Sequence, residues 1–128
     1  MGKAIIEEAD ARNHDIVVFE IENKKNRRTA RKYRSKINKV IYGDIRNFNE
    51  VKKAVQNCEA IIHLAAIIPP LSKIRRELTM AVNFGGTVNL IKAINEIKND
   101  IPFIFTSSAS VMGPTQLQNK LVERNDPL

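Results

Sequence analysis

The sequence is poor in the groups that build crosslinks. It has one cysteine, Cys58, so an internal disulfide is excluded. Beside it stand only two histidines, His14 and His63, which argues against a structural zinc site with its four nitrogen or sulfur ligands. Long apolar runs are also missing. The longest, Ala60 to Leu71, is interrupted by His63, contains Pro69 and Pro70, and is too short to span a bilayer. Glu7 and Glu8 fall where a secretory signal would have its apolar stretch. These absences lead us to expect a cytoplasmic protein. There is no internal repeat and no low-complexity tract. At 128 residues the chain is one domain at most, and at 43% hydrophobic it can build a core.

The net charge of +7 is unevenly placed. Nine basic residues lie between Glu22 and Lys39, where Glu22 is the only acid, so the rest of the chain nets −1. Three readings of this segment compete. It can be a solvated face. Arg27 and Arg28 can reach a 2′-phosphate and select NADP. Or the segment can bind nucleic acid through phosphates, although no helix-turn-helix, zinc or stacking motif accompanies it.

Short β-rich runs alternate with helical patterns. A first helix is expected over about Lys3 to Arg12. Asp15 to Ile21, Lys39 to Tyr42, Ala60 to Leu64 and Pro102 to Thr106 read as strands. The basic segment is weakly helical. Phe48, Val51, Ala54 and Val55 share one helical face, with Asn47 as N-cap. A long helix is predicted from about Ser72 to Lys98, interrupted at Gly85-Gly86, and the tail after Pro114 reads as irregular. Such alternation implies βαβ units and a parallel sheet covered on both faces. Ligands of these sheets bind beyond the carboxyl ends of the strands.

The residues at those ends are therefore the ones to weigh. Glu20 closes the first strand; a carboxylate there accepts hydrogen bonds from ribose hydroxyls and repels a 2′-phosphate, which favours NAD over NADP. An ordinary exposed acid is the plain alternative. Asp44 and Ile45 follow the second strand and can face an adenine, or simply form a Gly-Asp turn. After the third strand, Leu64, Ala65 and Ala66 let a ligand approach the backbone closely, while His63 reads as a core histidine. Thr106, Ser107 and Ser108 offer hydroxyls that orient a substrate oxygen or bond the local backbone. Gly85-Gly86 costs helix stability, which close packing against sheet or cofactor would explain, and Asn83 beside them can face a ligand or bond the backbone.

In order and spacing these segments resemble the NAD-dependent epimerase/dehydratase family, the extended short-chain dehydrogenases/reductases. Asn13 to Glu20 is similar to its second strand, and Tyr42-Gly43-Asp44-Ile45-Arg46 to its Gly-Asp-[Leu/Ile]-Arg adenine contact. Ile61 to Ala66 is similar to its His-x-Ala-Ala loop, Val82 to Leu90 to its Asn-Val-x-Gly-Thr-x-Asn-Leu helix, and Phe105 to Gly113 to its Ser-Ser-x-x-Val-Tyr-Gly segment. The resemblance implies an α/β fold, a partial Rossmann-type doubly wound parallel sheet with the equivalents of strands 2 to 5. It implies cofactor-binding roles for Gly2, Glu20, Asp44, Ile45, Leu64, Ala65, Ala66, Asn83 and Thr106, with NAD as cofactor. It gives Ser108 a catalytic role in positioning a small-molecule substrate, such as a nucleotide sugar. Met112 stands where the family has Tyr.

Two family features are missing. Of the G-x-x-G-x-x-G turn only Gly2 has a match, and the strand before it has none. Tyr-x-x-x-Lys, the general acid/base pair, does not occur: neither Tyr33 nor Tyr42 has a lysine four residues on. We therefore expect residues 1–128 to be part of an NAD(P)-binding domain with no separate substrate domain, inactive in hydride transfer alone. A non-catalytic dinucleotide-binding module is the alternative. Without the first strand, its two neighbours are expected to pair directly or to receive a strand from another chain, as in a homo-oligomer.

Overall fold

The structure is a computed structural model and describes residues 1–97 and 100–108. The expectations for Met112 and for the tail lie outside the described residues. In chain order the elements are α1 (Gly2–Ala11), β1 (Val17–Glu20), α2 (Lys24–Lys32), β2 (Lys39–Tyr42), α3 (Phe48–Val55), β3 (Ile61–His63), α4 (Leu71–Ile74), α5 (Arg76–Met80), α6 (Gly86–Ile97) and β4 (Phe103–Phe105). The alternation read from the sequence is thus present; β2 has the bounds read for it, and the other three strands are shorter where hydrogen-bonded pairing stops. The basic segment forms a full helix, α2, opened by Asn23, whose side chain accepts the Asn26 N–H.

All pairing is parallel, as in a partial Rossmann-type sheet. β1 pairs with β2, placing Glu20 opposite Tyr42, and β3 pairs with β4, placing His63 opposite Phe105. β1 and β3 do not pair with each other; the strands form two two-stranded sheets. This corrects the expectation of direct pairing. Among the described residues each of the two therefore keeps one edge without a strand neighbour.

α3 and α6 hold the halves together. The α3 face predicted from its period carries Val51, Ala54 and Val55, all buried, and Asn47 caps it by accepting the Asn49 and Glu50 N–H groups. On α6, Leu90, Ala93 and Ile94 meet that face, and Phe19 from β1 and Ile61 and Phe103 from β3 and β4 pack against the same cluster. Each fully buried aliphatic side chain here contributes about 1.5–3 kcal/mol. The opposite sheet face is different: Ile62 and Ile104 are 43% and 56% exposed. The expectation of a sheet covered on both faces is corrected, because the described helices α3 and α6 pack on one face of β3 and β4.

The long predicted helix is divided elsewhere than at its glycines. Arg75 leaves helical geometry (φ −116°, ψ 61°), separating α4 from α5. From Arg76 the helix runs unbroken to Ile97, but its turn Ala81–Gly85 is π-wound. Such single wide turns cluster at functional sites.

Candidate functional site

At the carboxyl end of β1, Glu20 is exposed, and its Oε1 accepts the Ile21 N–H at 2.9 Å. Its other carboxylate oxygen has no protein donor among the described residues. The Glu20 carbonyl accepts the Gly43 N–H at 3.1 Å, which ties the first two strand ends together. Gly43 is required there: a Cβ would lie 2.6 Å from Phe19 Cε2 and 2.8 Å from Glu50 Oε2.

Asp44 is engaged within its own turn. Both its oxygens accept from Arg46 Nε, at 3.0 and 2.9 Å, and Oδ1 also accepts the Arg46 N–H. The Arg46 guanidinium holds the Asp44 carboxyl below its ordinary range, outweighing partial burial. The plain alternative, a turn, describes this carboxylate better than an adenine contact does. What the turn delivers is Ile45, half-buried at the strand end. Two features fix Ile45. Asn89 Nδ2 donates to the Ile45 and Arg46 carbonyls at 3.1 and 2.9 Å. Gly86 lets α6 approach so closely that a Cβ there would sit 2.6 Å from Ile45 Cγ2. Of the two explanations open for the glycine pair, sheet-side packing holds for Gly86, whereas Gly85 has only the Met80 carbonyl near, at 3.9 Å.

At the end of β3, His63 is buried at 4% exposure between the rings of Phe103 and Phe105. Burial pushes its pKa down. Its Nε2 lies 2.9 Å from Thr87 Oγ1, and Thr87 donates its own hydroxyl hydrogen to the Asn83 carbonyl. Thr87 must then accept from His63, which fixes the neutral tautomer with its proton on Nε2. His63 is a core histidine, as read from its apolar strand. Thr106 extends the β3–β4 pairing: its N–H and hydroxyl both donate to the His63 carbonyl. Its side chain is thereby a strand-end bracket.

Asn83 sits in the π-wound turn. Its amide accepts the Ile67 N–H at 2.7 Å and donates to the Ile67 carbonyl at 3.0 Å. The side chain faces the backbone, the second of the two options open from the sequence, and it fixes the loop that carries Leu64, Ala65 and Ala66. Both alanines are exposed. Gly2, at the start of α1, lies against this loop, with Leu64 Cδ1 3.9 Å from where a Cβ would be. Among the described residues no side chain caps α1, so its first N–H groups have no side-chain acceptor there. Ser107 and Ser108, just past Thr106, are exposed.

The structure thus groups the predicted residues in two sets. Glu20, Asp44 and Ile45 belong to the β1–β2 end. Gly2, Leu64, Ala65, Ala66 and Thr106 belong to the β3–β4 end. The helix from Asn83 to Asn89 joins them, through Ile67, His63 and Ile45. The parts of Thr87 and Asn89 were not foreseen. Their sequence signal was the helix motif Val82–Leu90 itself, whose polar positions all turn inward. Among the described residues there is no cluster of metal-ligating side chains. No described helix is long and apolar enough to cross a membrane.

Parallel strand pairs with small and polar residues at their carboxyl ends define the Rossmann-type fold of the extended short-chain dehydrogenases/reductases. The assignment can be made narrower. The chain belongs to the 3-beta hydroxysteroid dehydrogenase/isomerase family, which it matches over residues 1–127, within the NAD-dependent epimerase/dehydratase group that its motifs resemble. Among solved structures it is similar to the UDP-Glc/GlcNAc 4-epimerase from the human pathogen Campylobacter jejuni, with TM-score 0.83 and 24% identity over 99% of this chain and 39% of that one. It is similar to Pen from Bacillus thuringiensis, with TM-score 0.77 and 26% identity over 88% of this chain and 35% of that one. A short-chain dehydrogenase/reductase superfamily protein from Agrobacterium tumefaciens with bound NAD gives TM-score 0.76 and 20% identity over 99% of this chain and 35% of that one. The chain spans 35–39% of the length of these three.

Proposed function

We propose that residues 1–108 form the adenosine-binding side of an NAD-dependent epimerase/dehydratase that acts on a secondary hydroxyl of a nucleotide sugar or a similar hydroxylated substrate. The observation that carries this reading is Glu20: an exposed carboxylate at the end of a parallel strand, with one oxygen unengaged among the described residues. The donor set suits a dinucleotide. Glu20 accepts from the ribose hydroxyls and repels a 2′-phosphate, so NAD is preferred to NADP. Ile45 covers the adenine. The N–H groups opening α1, with Gly2 among them, face the pyrophosphate. Ala65 and Ala66 let the ligand lie against the backbone, and Asn83 keeps that loop in place. Ser108 orients the substrate hydroxyl by a hydrogen bond. The bound dinucleotide supplies a hydride acceptor at its nicotinamide ring. The UDP-sugar epimerase likeness supports the nucleotide sugar, and the family's description offers a hydroxysteroid as the competing substrate.

The absence of Tyr-x-x-x-Lys from the 128 residues favours a second reading for this chain by itself, that of a module that binds the dinucleotide without turnover. Both readings share one test. Titration of the chain with NAD and with NADP, followed by calorimetry, should give tighter binding of NAD, and Glu20→Ala should narrow the difference. Equal affinity for the two cofactors would remove Glu20 from its role. Reduction of NAD on adding UDP-sugars would contradict the inactivity of the chain.

A further inference from the structure

We propose that the cleft between α2 and β2 is a second anion site, which binds a short chain of phosphate groups. The cleft has a volume of about 300 Å³, and its lining includes Arg27, Arg31, Arg34, Lys39 and Tyr42. That volume is at the small end of ligand pockets, about 300–1,000 Å³. The spacing of the cations is regular. Arg27 and Arg31, four residues apart on α2, share one helical face, and Arg34 follows in the turn just after the helix. Lys39 enters from the opposite wall, at the start of β2.

Three of the four charges are also unmet. Arg27 is held by Glu22 and lies over the Tyr42 ring, 5.7 Å from its centroid. Arg31, Arg34 and Lys39 are exposed, and none has an acidic partner among the described residues. Within α2, Arg27 and Arg31, both in the cleft lining, stand four apart with like charge, which destabilises a helix. A solvated face gains nothing from that arrangement. A bound polyanion relieves it. Guanidinium groups favour phosphate, which they grip through two parallel hydrogen bonds, and here they outnumber the ammonium three to one. The cleft runs along β2 from Lys39 to Tyr42, and neither Glu20 nor Ile45 is in its lining, so its cations are a different set of residues from those of the proposed cofactor crevice.

The test uses inorganic tripolyphosphate and the whole chain at low salt. Calorimetry should show one tripolyphosphate per chain, and far-UV circular dichroism should show a higher melting temperature on binding. The double variant Arg31→Gln/Arg34→Gln should bind at least about tenfold more weakly, since each charge-assisted hydrogen bond contributes a factor of that order. Lys39→Gln, on the strand side, should weaken binding as well. The control Lys73→Gln/Arg76→Gln removes the same charge from exposed positions elsewhere and should change affinity less than about twofold. Equal loss in the control and the cleft variant would reduce the effect to net charge and overturn the site. Binding of a twelve-residue thymidine oligonucleotide without binding of tripolyphosphate would overturn it in favour of a nucleic-acid surface. Absence of binding by either probe would also overturn it.

Discussion

Replacing Gly86 by alanine tests the joint between α6 and the loop after β2. Two effects oppose each other. Alanine in a helix is favoured over glycine by about 0.8–1 kcal/mol. Against this, the new Cβ would lie 2.6 Å from Ile45 Cγ2, 3.1 Å from Cγ1 and 3.3 Å from Cβ. All three atoms belong to the branched stem of Ile45, so no flexible end can swing aside. The loop must retreat, and overpacking of this kind costs about 1–3 kcal/mol. The loop is also tethered through its Ile45 and Arg46 carbonyls by Asn89, which resists the retreat. We expect Gly86→Ala to destabilise the chain by up to about 2 kcal/mol net, the steric term exceeding the propensity gain. The decisive comparison is a double-mutant cycle with Ile45→Ala, which removes Cγ1 and Cγ2. In that background the two shortest contacts are gone and only the 3.3 Å approach to Cβ is left, so Gly86→Ala should stabilise, by up to about 1 kcal/mol. Urea unfolding followed by far-UV circular dichroism measures all four proteins. If Gly86→Ala changes stability by the same amount in both backgrounds, the close approach to Ile45 is not what the glycine is for.

Two further outcomes follow from the same helix. Burial lowers the His63 pKa below its ordinary 6.5, so the unfolded chain takes up a proton on acidification before the folded chain does. Stability should therefore fall as pH drops below 6.5, level off once the folded histidine protonates, and be indifferent to His63 above that value; urea midpoints from about pH 7.5 to 5 should lose this part of their slope in His63→Gln, and an unchanged slope would count against it. Asn89→Ala removes two hydrogen bonds that hold the loop at Ile45 and Arg46, at a cost of about 1–2 kcal/mol. Amide hydrogen exchange should rise at residues 45–47 and not at Ile67, which Asn83 holds; uniform acceleration across both loops would contradict separate tethers.

The strands and α3 were legible because their signals are local. Ile61-Ile62 and Phe103-Ile104-Phe105 are apolar runs bounded by polar or proline residues, and Asn47 precedes a period of buried positions that α3 reproduces. The course of the helix from Arg76 was not legible in the same way. Two adjacent glycines suggest a break, yet the backbone stays helical through both and widens one turn earlier. The reason lies outside the helix: Gly86 meets a side chain forty residues away, and a propensity argument cannot see a neighbour that distant.

The site residues divide along the same line. The positions of Glu20, Ala65 and Ala66 were legible because a strand's carboxyl end is where a parallel sheet presents its ligands, a rule that needs only the order of elements, and all three are exposed there. Asp44 and Thr106 do follow strand ends and Asn83 does lie on the helix, but their polar atoms are engaged by Arg46, His63 and Ile67. Spacing can put a hydrogen-bonding group at a strand end; it cannot say whether the group faces outward or braces the backbone. The division has a physical logic. Short loops at strand ends expose N–H and carbonyl groups that helices and strands no longer pair. Asparagine and threonine side chains on the adjoining helix supply those partners, which is why the polar positions of Val82–Leu90 point inward. The loops so fixed then present Glu20, Ile45 and the alanines at defined positions. A ligand site on this sheet therefore depends on a layer of side chains that need not touch the ligand. Substitutions in that layer should change loop order before they change anything a ligand contacts.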